Sequence, residues 1–460
     1  MTAHRWESQV SALRGHAISF SGDPFLDENV LVDVEDALIV CRDGKVATFG
    51  PYAEVCHELP NDVEVVRYEN MLLCAGFVDA HTHYVQTHIV GAFGEQLIDW
   101  LNRYAFVEEQ RFSDRHYSEA VAAVFFDQVI ASGTTTACTF CATYPGSVDA
   151  FFEESLRRGT RMIAGKVMMD SNAPKPLLDT AQSGYEESEA LIDRWHGRGR
   201  NLYAITPRFA LTSTPAQLEA AGSLWASRPG TYMHTHVSES LREIELVRTL
   251  FPDLGGYVDV YERYGLLGKR AVLAHGVHLS EPDLARLHKT RTALAHCPTS
   301  NLFLGSGLFD VRAAKRRERP ISVGLGSDIG AGTSFSLLAA MGDAYKVAEL
   351  RAHPMDATKL FYLATLGGAE ALCLADEIGS INVGKEADLV VLDPRATPLL
   401  SAQTTRAEST EEIMFALALI GDERAVVATY VGGELAYERP SGAAGTRFAC
   451  SAPTAVDPGK

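Results

Sequence analysis

Four apolar runs in this chain end alike, each on a group that can bind a metal ion or carry a proton. Leu73-Cys74-Ala75-Gly76-Phe77-Val78-Asp79-Ala80 leads into His81-Thr82-His83, and Tyr232-Met233-His234-Thr235 leads into His236. Leu273-Ala274 reaches His275, and Gly324-Leu325-Gly326-Ser327 reaches Asp328. Side chains two apart on a strand point to one face, so His81 and His83 can converge on a single ion. A lone histidine on an apolar segment is far more often a hydrogen-bonded core residue. Recurrence at the carboxyl ends of several strands reverses that preference and calls for a fold in which those ends meet.

From Met71 onward, short β-branched apolar runs alternate with amphipathic stretches such as 113–129 and 215–226, a pattern that implies a parallel sheet. Eight strands are predicted: Met71 to Val78, Thr134 to Phe140, Arg161 to Met168, Leu202 to Thr206, Gly230 to Thr235, Ala271 to Ala274, Thr292 to Ala295 and Ile321 to Leu325. Eight such units suit a (β/α)8 TIM barrel over residues 71–378, with its chemistry at the carboxyl ends of the strands. A doubly wound open sheet has the same alternation, and strand count does not exclude it. Residues 1–70 read as hairpins, with short strands near 17–20, 37–41 and 46–49 and a turn at Arg42-Asp43-Gly44-Lys45. Strand character returns between Ile378 and Asp393 and from Val426 to Val431. Residues 379–438 are therefore expected to complete the amino-terminal sheet, giving a small composite β-sandwich domain built from both ends of the chain. Residues 439–460, rich in Ser, Ala, Gly and Pro, are expected to be disordered.

The formal net charge of −18 disfavours nucleic acid and anionic membranes as partners. No run of about 18 uncharged apolar residues is present, and the amino terminus lacks the apolar core of a signal peptide, so a soluble cytoplasmic protein with no membrane partner is expected. The eight cysteines are scattered, which favours reduced, buried thiols. Cys138-Thr139-Phe140-Cys141 has C-x-x-C spacing but no second such pair, and it follows a strand-like stretch, so it reads as structural. Gly324 to Gly332 is glycine-rich yet lacks the Gly-Lys-Ser/Thr ending of a phosphate loop. The H-x-E and P-C-x-x-C pattern of the zinc deaminases that act on nucleic-acid bases is missing as well.

Imidazole and carboxylate without a thiolate cluster favour zinc or another first-row divalent ion. Three histidines and an aspartate with room for water describe a catalytic site whose water is acidified into a nucleophile.

In this order, His81-Thr82-His83, His236, His275 and Asp328 resemble the amidohydrolase superfamily, and the resemblance spans nearly the whole chain, including Gly379 to Asp388. Five stretches are similar to the branch that deaminates guanine: His83-Tyr84-Val85-Gln86, Thr206-Pro207-Arg208-Phe209, His236-Val237-Ser238-Glu239, His296-Cys297-Pro298-Thr299-Ser300-Asn301-Leu302 and Gly326-Ser327-Asp328. The resemblance implies one zinc ion per subunit, held by His81, His83, His236 and Asp328, with His275 hydrogen-bonded to the water that the ion activates. Two-metal members carry a bridging lysine at the end of the fourth strand. Here that strand runs into Pro207-Arg208, and Lys166 lies within the third, so a single metal is expected.

Glu239, three residues past a ligand, is placed to shuttle a proton to the ring and to the leaving amine, and Asp328 to take the proton of the water. The fork of Arg208 suits a 6-oxo acceptor, Phe209 can stack on a planar base, and by resemblance Gln86 reads another edge of the purine. A loop salt bridge, a core aromatic and a turn amide are the plain alternatives for these three. The implied partner is a small purine base, guanine, and the implied assembly a homodimer. A different aminated heterocycle, or a barrel without catalysis that serves as a scaffold, remains the alternative. His234 is expected in the core or supporting the ligands, His278 is expected to cap or pack in the loop after His275, and His88 and His116 have no partner pattern. Similar enzymes usually have proline where this chain has Ala75, six residues before His81.

Overall fold

A computed structural model describes residues 10–59, 63–440 and the backbone of 446–449. The strands are β1 (Val10–Phe20), β2 (Leu31–Arg42), β3 (Lys45–Pro51), β4 (Glu64–Ala75), β5 (Phe77–His83), β6 (Thr134–Phe140), β7 (Arg161–Gly165), β8 (Val167–Met168), β9 (Leu202–Pro207), β10 (Tyr232–Val237), β11 (Ala271–His275), β12 (Ala293–His296), β13 (Val323–Leu325), β14 (Leu389–Leu392), β15 (Val426–Val431), β16 (Glu434–Glu438) and β17 (Thr446–Ala449).

The central sheet runs β13-β12-β11-β10-β9-β7-β6-β5, with β8 beside β9, and its pairings are parallel. Helices such as Arg115–Ala131, Pro145–Arg158 and Pro215–Ser227 alternate with the strands. This is the predicted (β/α)8 barrel, not a doubly wound sheet. Its strands are buried on both faces, which is why they read as continuous runs such as Thr134-Thr-Thr-Ala-Cys-Thr-Phe140 instead of alternating. Val78, Ala80, Cys138, Ile163, Ala204 and Val272 fill the interior away from the site, and Leu372 and Ile378 close that end. The first and last strands meet through the site itself. Asp328 N–H donates to the His81 carbonyl at 3.0 Å, and the buried Asp79 carboxylate accepts Ser327 N–H at 3.0 Å and His81 N–H at 3.1 Å.

The second sheet is mixed, ordered β16-β15-β14-β4-β1-β2-β3 with β17 on β4. β14 pairs antiparallel with residues 72–75, so the carboxyl-terminal segment completes the amino-terminal sheet as expected. Between Ile378 and Asp393 only Leu389–Leu392 is a strand. The rest ties this segment to the amino-terminal hairpin and to the start of the barrel: Ala387 N–H donates to Gly44 O and Gly76 N–H to Asp388 O, both at 2.8 Å. Arg200 pairs with Asp388 at 2.6 Å, and Arg161 reaches Glu386 and Glu377.

Two expectations are corrected. The predicted strand Met71 to Val78 is two strands in two sheets, divided at Gly76, where an added Cβ would stand 2.4 Å from Thr135 Oγ1. The chain crosses between sheets where only glycine fits. Within the tail expected to be disordered, β17 pairs with β4, while residues 441–445 and 450–460 lie outside those described. Among the described residues no helix is long and apolar enough to cross a membrane.

Candidate active site

His81 and His83 end β5. Val78 and Ala80 of the same strand face the barrel interior, so simple alternation would turn the odd-numbered histidines outward. A register irregularity between Asp79 and Thr82 changes which parity faces inward. His236 is the penultimate residue of β10, two residues beyond His234 and four beyond the interior residue Tyr232, in strict alternation. His275 ends β11, and Asp328 follows β13. Ser238, His275 and Asp328 all have left-handed backbone, with φ of 47°, 71° and 48°. Such conformations cost on the order of 1–3 kcal/mol each and gather where function requires them.

His83 Nε2 and His236 Nε2 are 3.2 Å apart. His81 Nε2 and His83 Nε2 each stand 3.2 Å from Asp328 Oδ1. Donors held about 2.0–2.1 Å from one ion at tetrahedral angles stand about 3.3–3.4 Å apart, so this spacing fits a common ion. His81 Nε2 is buried without a hydrogen-bond partner, which also suits a metal. His275 Nε2 lies 3.7 Å from Asp328 Oδ2 and 3.6 Å from Glu239 Oε2. Ligand atoms of His81, His236, His275 and Asp328 lie within 4.8 Å of one another, so His275 stands beside the set that the resemblance implies, His81, His83, His236 and Asp328.

The far nitrogens are also placed. His236 Nδ1 donates to the Arg208 carbonyl at 2.7 Å, which leaves Nε2 its lone pair. His81 Nδ1 lies 2.8 Å from His234 Nε2, and His234 Nδ1 3.3 Å from Cys138 Sγ. By accepting from His81 Nδ1, His234 fixes the tautomer that leaves the His81 Nε2 lone pair for an ion. Phe140 lies beneath all four rings, with centroid distances of 4.6–5.4 Å to His81, His83, His234 and His236. In this dry setting burial pushes His81 down to about 3, His83 below its ordinary value and His236 well below it, so all three imidazoles are neutral and ready to bind an ion. Asp328 is held well below the usual carboxylate range: burial opposes this, but the His81 and His83 imidazoles outweigh it.

Glu239 is buried, and burial raises its carboxyl to about 7 despite the His275 charge. Burial disfavours charge on His275, yet Glu239 and Asp328 together raise its pKa. Asn301 Oδ1 accepts from His275 Nδ1 at 2.9 Å, which aims Nε2 at Glu239 and Asp328. Glu239 is itself pinned, because the buried Glu243 carboxylate accepts Glu239 N–H at 2.9 Å, Ser240 N–H at 3.2 Å and the Tyr257 hydroxyl at 2.5 Å.

Gln86, Arg208 and Phe209 line a cavity with His83, His236, Glu239, His275 and Asp328, walled by Leu97, Trp100, Leu101, Leu304 and Ala331. Arg208 Nη1 donates to both oxygens of Glu109, at 2.9 and 2.7 Å. Phe209 stands with its ring edge-on to His236, 6.1 Å between centroids. Lys166 points away, to Asp179 at 2.6 Å. Cys138 and Cys141 are buried free thiols. His278 Nε2 donates to the Ser306 carbonyl at 2.7 Å, outside this cluster.

Sequence reading missed Glu109, Phe140, Glu243 and the role of Asn301. Only Glu243 had a legible signal, the Ser240-x-x-Glu243 capping box that opens the helix Leu241–Leu250.

The Amidohydrolase family profile matches residues 72–436. The guanine deaminase of Escherichia coli (strain K12) is 47% identical over 436 residues, 94% of this chain and 99% of that protein. Its solved structure superposes with a TM-score of 0.91 over 94% of this chain and 100% of that one. The guanine deaminase from Bradyrhizobium japonicum gives 0.91 at 35% identity, with 94% and 100% covered. That from C. acetobutylicum, solved with guanine bound in its active site, gives 0.82 at 25% identity, with 93% and 100% covered.

Proposed function

The chain belongs to the amidohydrolase family, and from that premise we propose that it is a metal-dependent hydrolase that converts guanine and water to xanthine and ammonia. The observation that carries this is the convergence of three neutral imidazoles and Asp328 at ligand spacing, beside a buried carboxyl that titrates near neutral pH.

His81, His83, His236 and Asp328 would hold one zinc ion, although other first-row divalent ions suit the same donors. A divalent ion there supplies the acidity that makes water a competent nucleophile near neutral pH. Around it, the chain's own groups position the base and move protons. Arg208 donates to the 6-oxo group, Gln86 binds a second edge, and Phe209 flanks the ring, so that carbon 2 faces the ligand cluster. Asp328 accepts a proton from the attacking water. Glu239 delivers its proton to nitrogen 3, takes up the remaining proton of the added hydroxyl and passes it to the departing amine, which leaves as ammonia; the proton held by Asp328 then returns to Glu239. His275, oriented by Asn301, hydrogen-bonds the incoming oxygen as charge develops on it. The apolar walls exclude bulk water and strengthen each of these interactions. By resemblance the enzyme is a cytoplasmic homodimer in purine breakdown.

Turnover across a panel of 2-aminopurines, aminopterins and aminotriazines tests the assignment. Guanine is expected to have the highest kcat/KM, with xanthine as its product. A clear preference for another base would overturn the substrate claim, and ammonia release from none of them would point to a scaffold.

A further inference from the structure

Glu109 belongs to no motif, yet it is completely buried, in a segment between the first two barrel strands. It ends the short helix Phe106–Glu109, which follows a π-helical turn at Leu101–Ala105. Its carboxylate holds both groups that would read the base: Arg208 Nη1 at 2.9 and 2.7 Å, and Gln86 Nε2 at 2.9 Å. The Phe106 ring lies 5.2 Å from the Arg208 guanidinium carbon.

An ionised carboxylate only accepts hydrogen bonds. The Gln86 amide must therefore turn its NH2 toward Glu109, which fixes its carbonyl oxygen on the other side. Gly330 leaves room for that oxygen, since a Cβ there would stand 2.2 Å from it. Arg208 commits Nη1 to Glu109, and its remaining N–H groups can only donate. The cavity thus presents a fixed donor, Arg208, and a fixed acceptor, Gln86 Oε1. A 6-oxopurine carries the complement on adjacent atoms, a carbonyl acceptor at carbon 6 and an N–H donor at nitrogen 1. A 6-aminopurine carries the reverse.

We propose that Glu109 is a positioning residue that sets this donor–acceptor polarity through Arg208 and Gln86, and so makes the site select 6-oxopurines over 6-aminopurines. The proposal rests on the deaminase assignment above.

The test uses hypoxanthine and adenine, which lack the 2-amino group, as competitive inhibitors of guanine turnover. Wild type is expected to bind hypoxanthine at least about tenfold tighter than adenine, because a mismatched pair leaves buried polar groups unpaired. In Glu109→Gln the side chain can both donate and accept, so the Gln86 amide is free to flip. There the mismatch at Gln86 is relieved while Arg208 still only donates, so the preference is expected to fall by at least about threefold, while KM for guanine rises more than kcat falls. A purely structural role would weaken both inhibitors alike and keep their ratio, which would overturn the proposal. Equal binding of the two inhibitors by wild type would overturn it as well. If Glu109→Gln does not fold, Glu109→Asp keeps a charge opposite Arg208 but withdraws it from Gln86. A preserved ratio in that variant counts against the proposal, and a reduced ratio supports it. Absence of guanine turnover in wild type would remove the deaminase assignment and this proposal together. Turnover with an unchanged ratio in the variant would remove only the latter.

Discussion

Replacing Glu239 with glutamine should separate what the residue does for the reaction from what it costs the fold. The side chain keeps its shape, and Ser306 Oγ, 3.2 Å from Oε1, can still donate to the amide oxygen. Proton transfer by a positioned side chain is worth about 10²–10⁴ in rate, so kcat should fall by at least that factor. Stability should move the other way. Burial raises the Glu239 carboxyl from 4.5 to about 7 in the metal-free fold. The folded state then binds the proton more tightly than the unfolded chain, so this group's favourable contribution is intact below pH 4.5 and is lost as pH rises toward 7. At pH 8 the ionised carboxylate costs about 3 kcal/mol, at about 1.4 kcal/mol per pKa unit, and the neutral amide avoids that cost. Metal-free Glu239→Gln should therefore unfold at higher denaturant than metal-free wild type at pH 8, and the gap should shrink to under about 1 kcal/mol at pH 5. Chemical denaturation at the two pH values, beside a xanthine-forming assay of the metal-loaded proteins, measures both effects. Activity within tenfold of wild type, or a stability gap independent of pH, would refute the assignment of Glu239 as the buried proton carrier.

Other substitutions probe the surrounding structure. His81→Ala should lose bound metal, whereas Gln86→Ala should retain it and raise KM for guanine about tenfold, the worth of one hydrogen bond; metal analysis and steady-state kinetics distinguish the two. Glu243→Gln offers one acceptor oxygen where Glu239 N–H, Ser240 N–H and the Tyr257 hydroxyl now share two. It should cost about 1–3 kcal/mol of stability and lower kcat with metal retained, and restored activity in Glu243→Asp would indicate that the carboxylate is the requirement. Gly222→Ala sits in the helix Pro215–Ser227, where propensity alone predicts about 1 kcal/mol of stabilisation. Its Cβ would stand 1.9 Å from the Tyr264 carbonyl oxygen, so Tm should fall instead.

The residues that converge on Asp328 were legible because a barrel brings strand ends together, and strand ends can be read from apolar runs. His81, His83, His236 and His275 needed only that rule and the order of the strands. The side on which His81 and His83 emerge depends on the bulge between Asp79 and Thr82, which no period-2 pattern reveals. The boundary at Gly76 was missed because the apolar run continues through it unbroken from β4 into β5. Glu109 comes from a short helix in a loop without periodicity, and its importance follows only from its burial against Arg208 and Gln86. Arg208 itself shows why alternative readings matter: it is a buried salt bridge and lines the cavity at once.

Most directly decisive is a zinc titration of chelator-stripped protein with guanine as substrate, following xanthine as it forms. Activity should be absent without metal, rise in proportion to added zinc and level off at one ion per chain. Xanthine formation by the stripped protein, a plateau at two ions, or none at any zinc level would contradict a single-ion guanine-deaminating site.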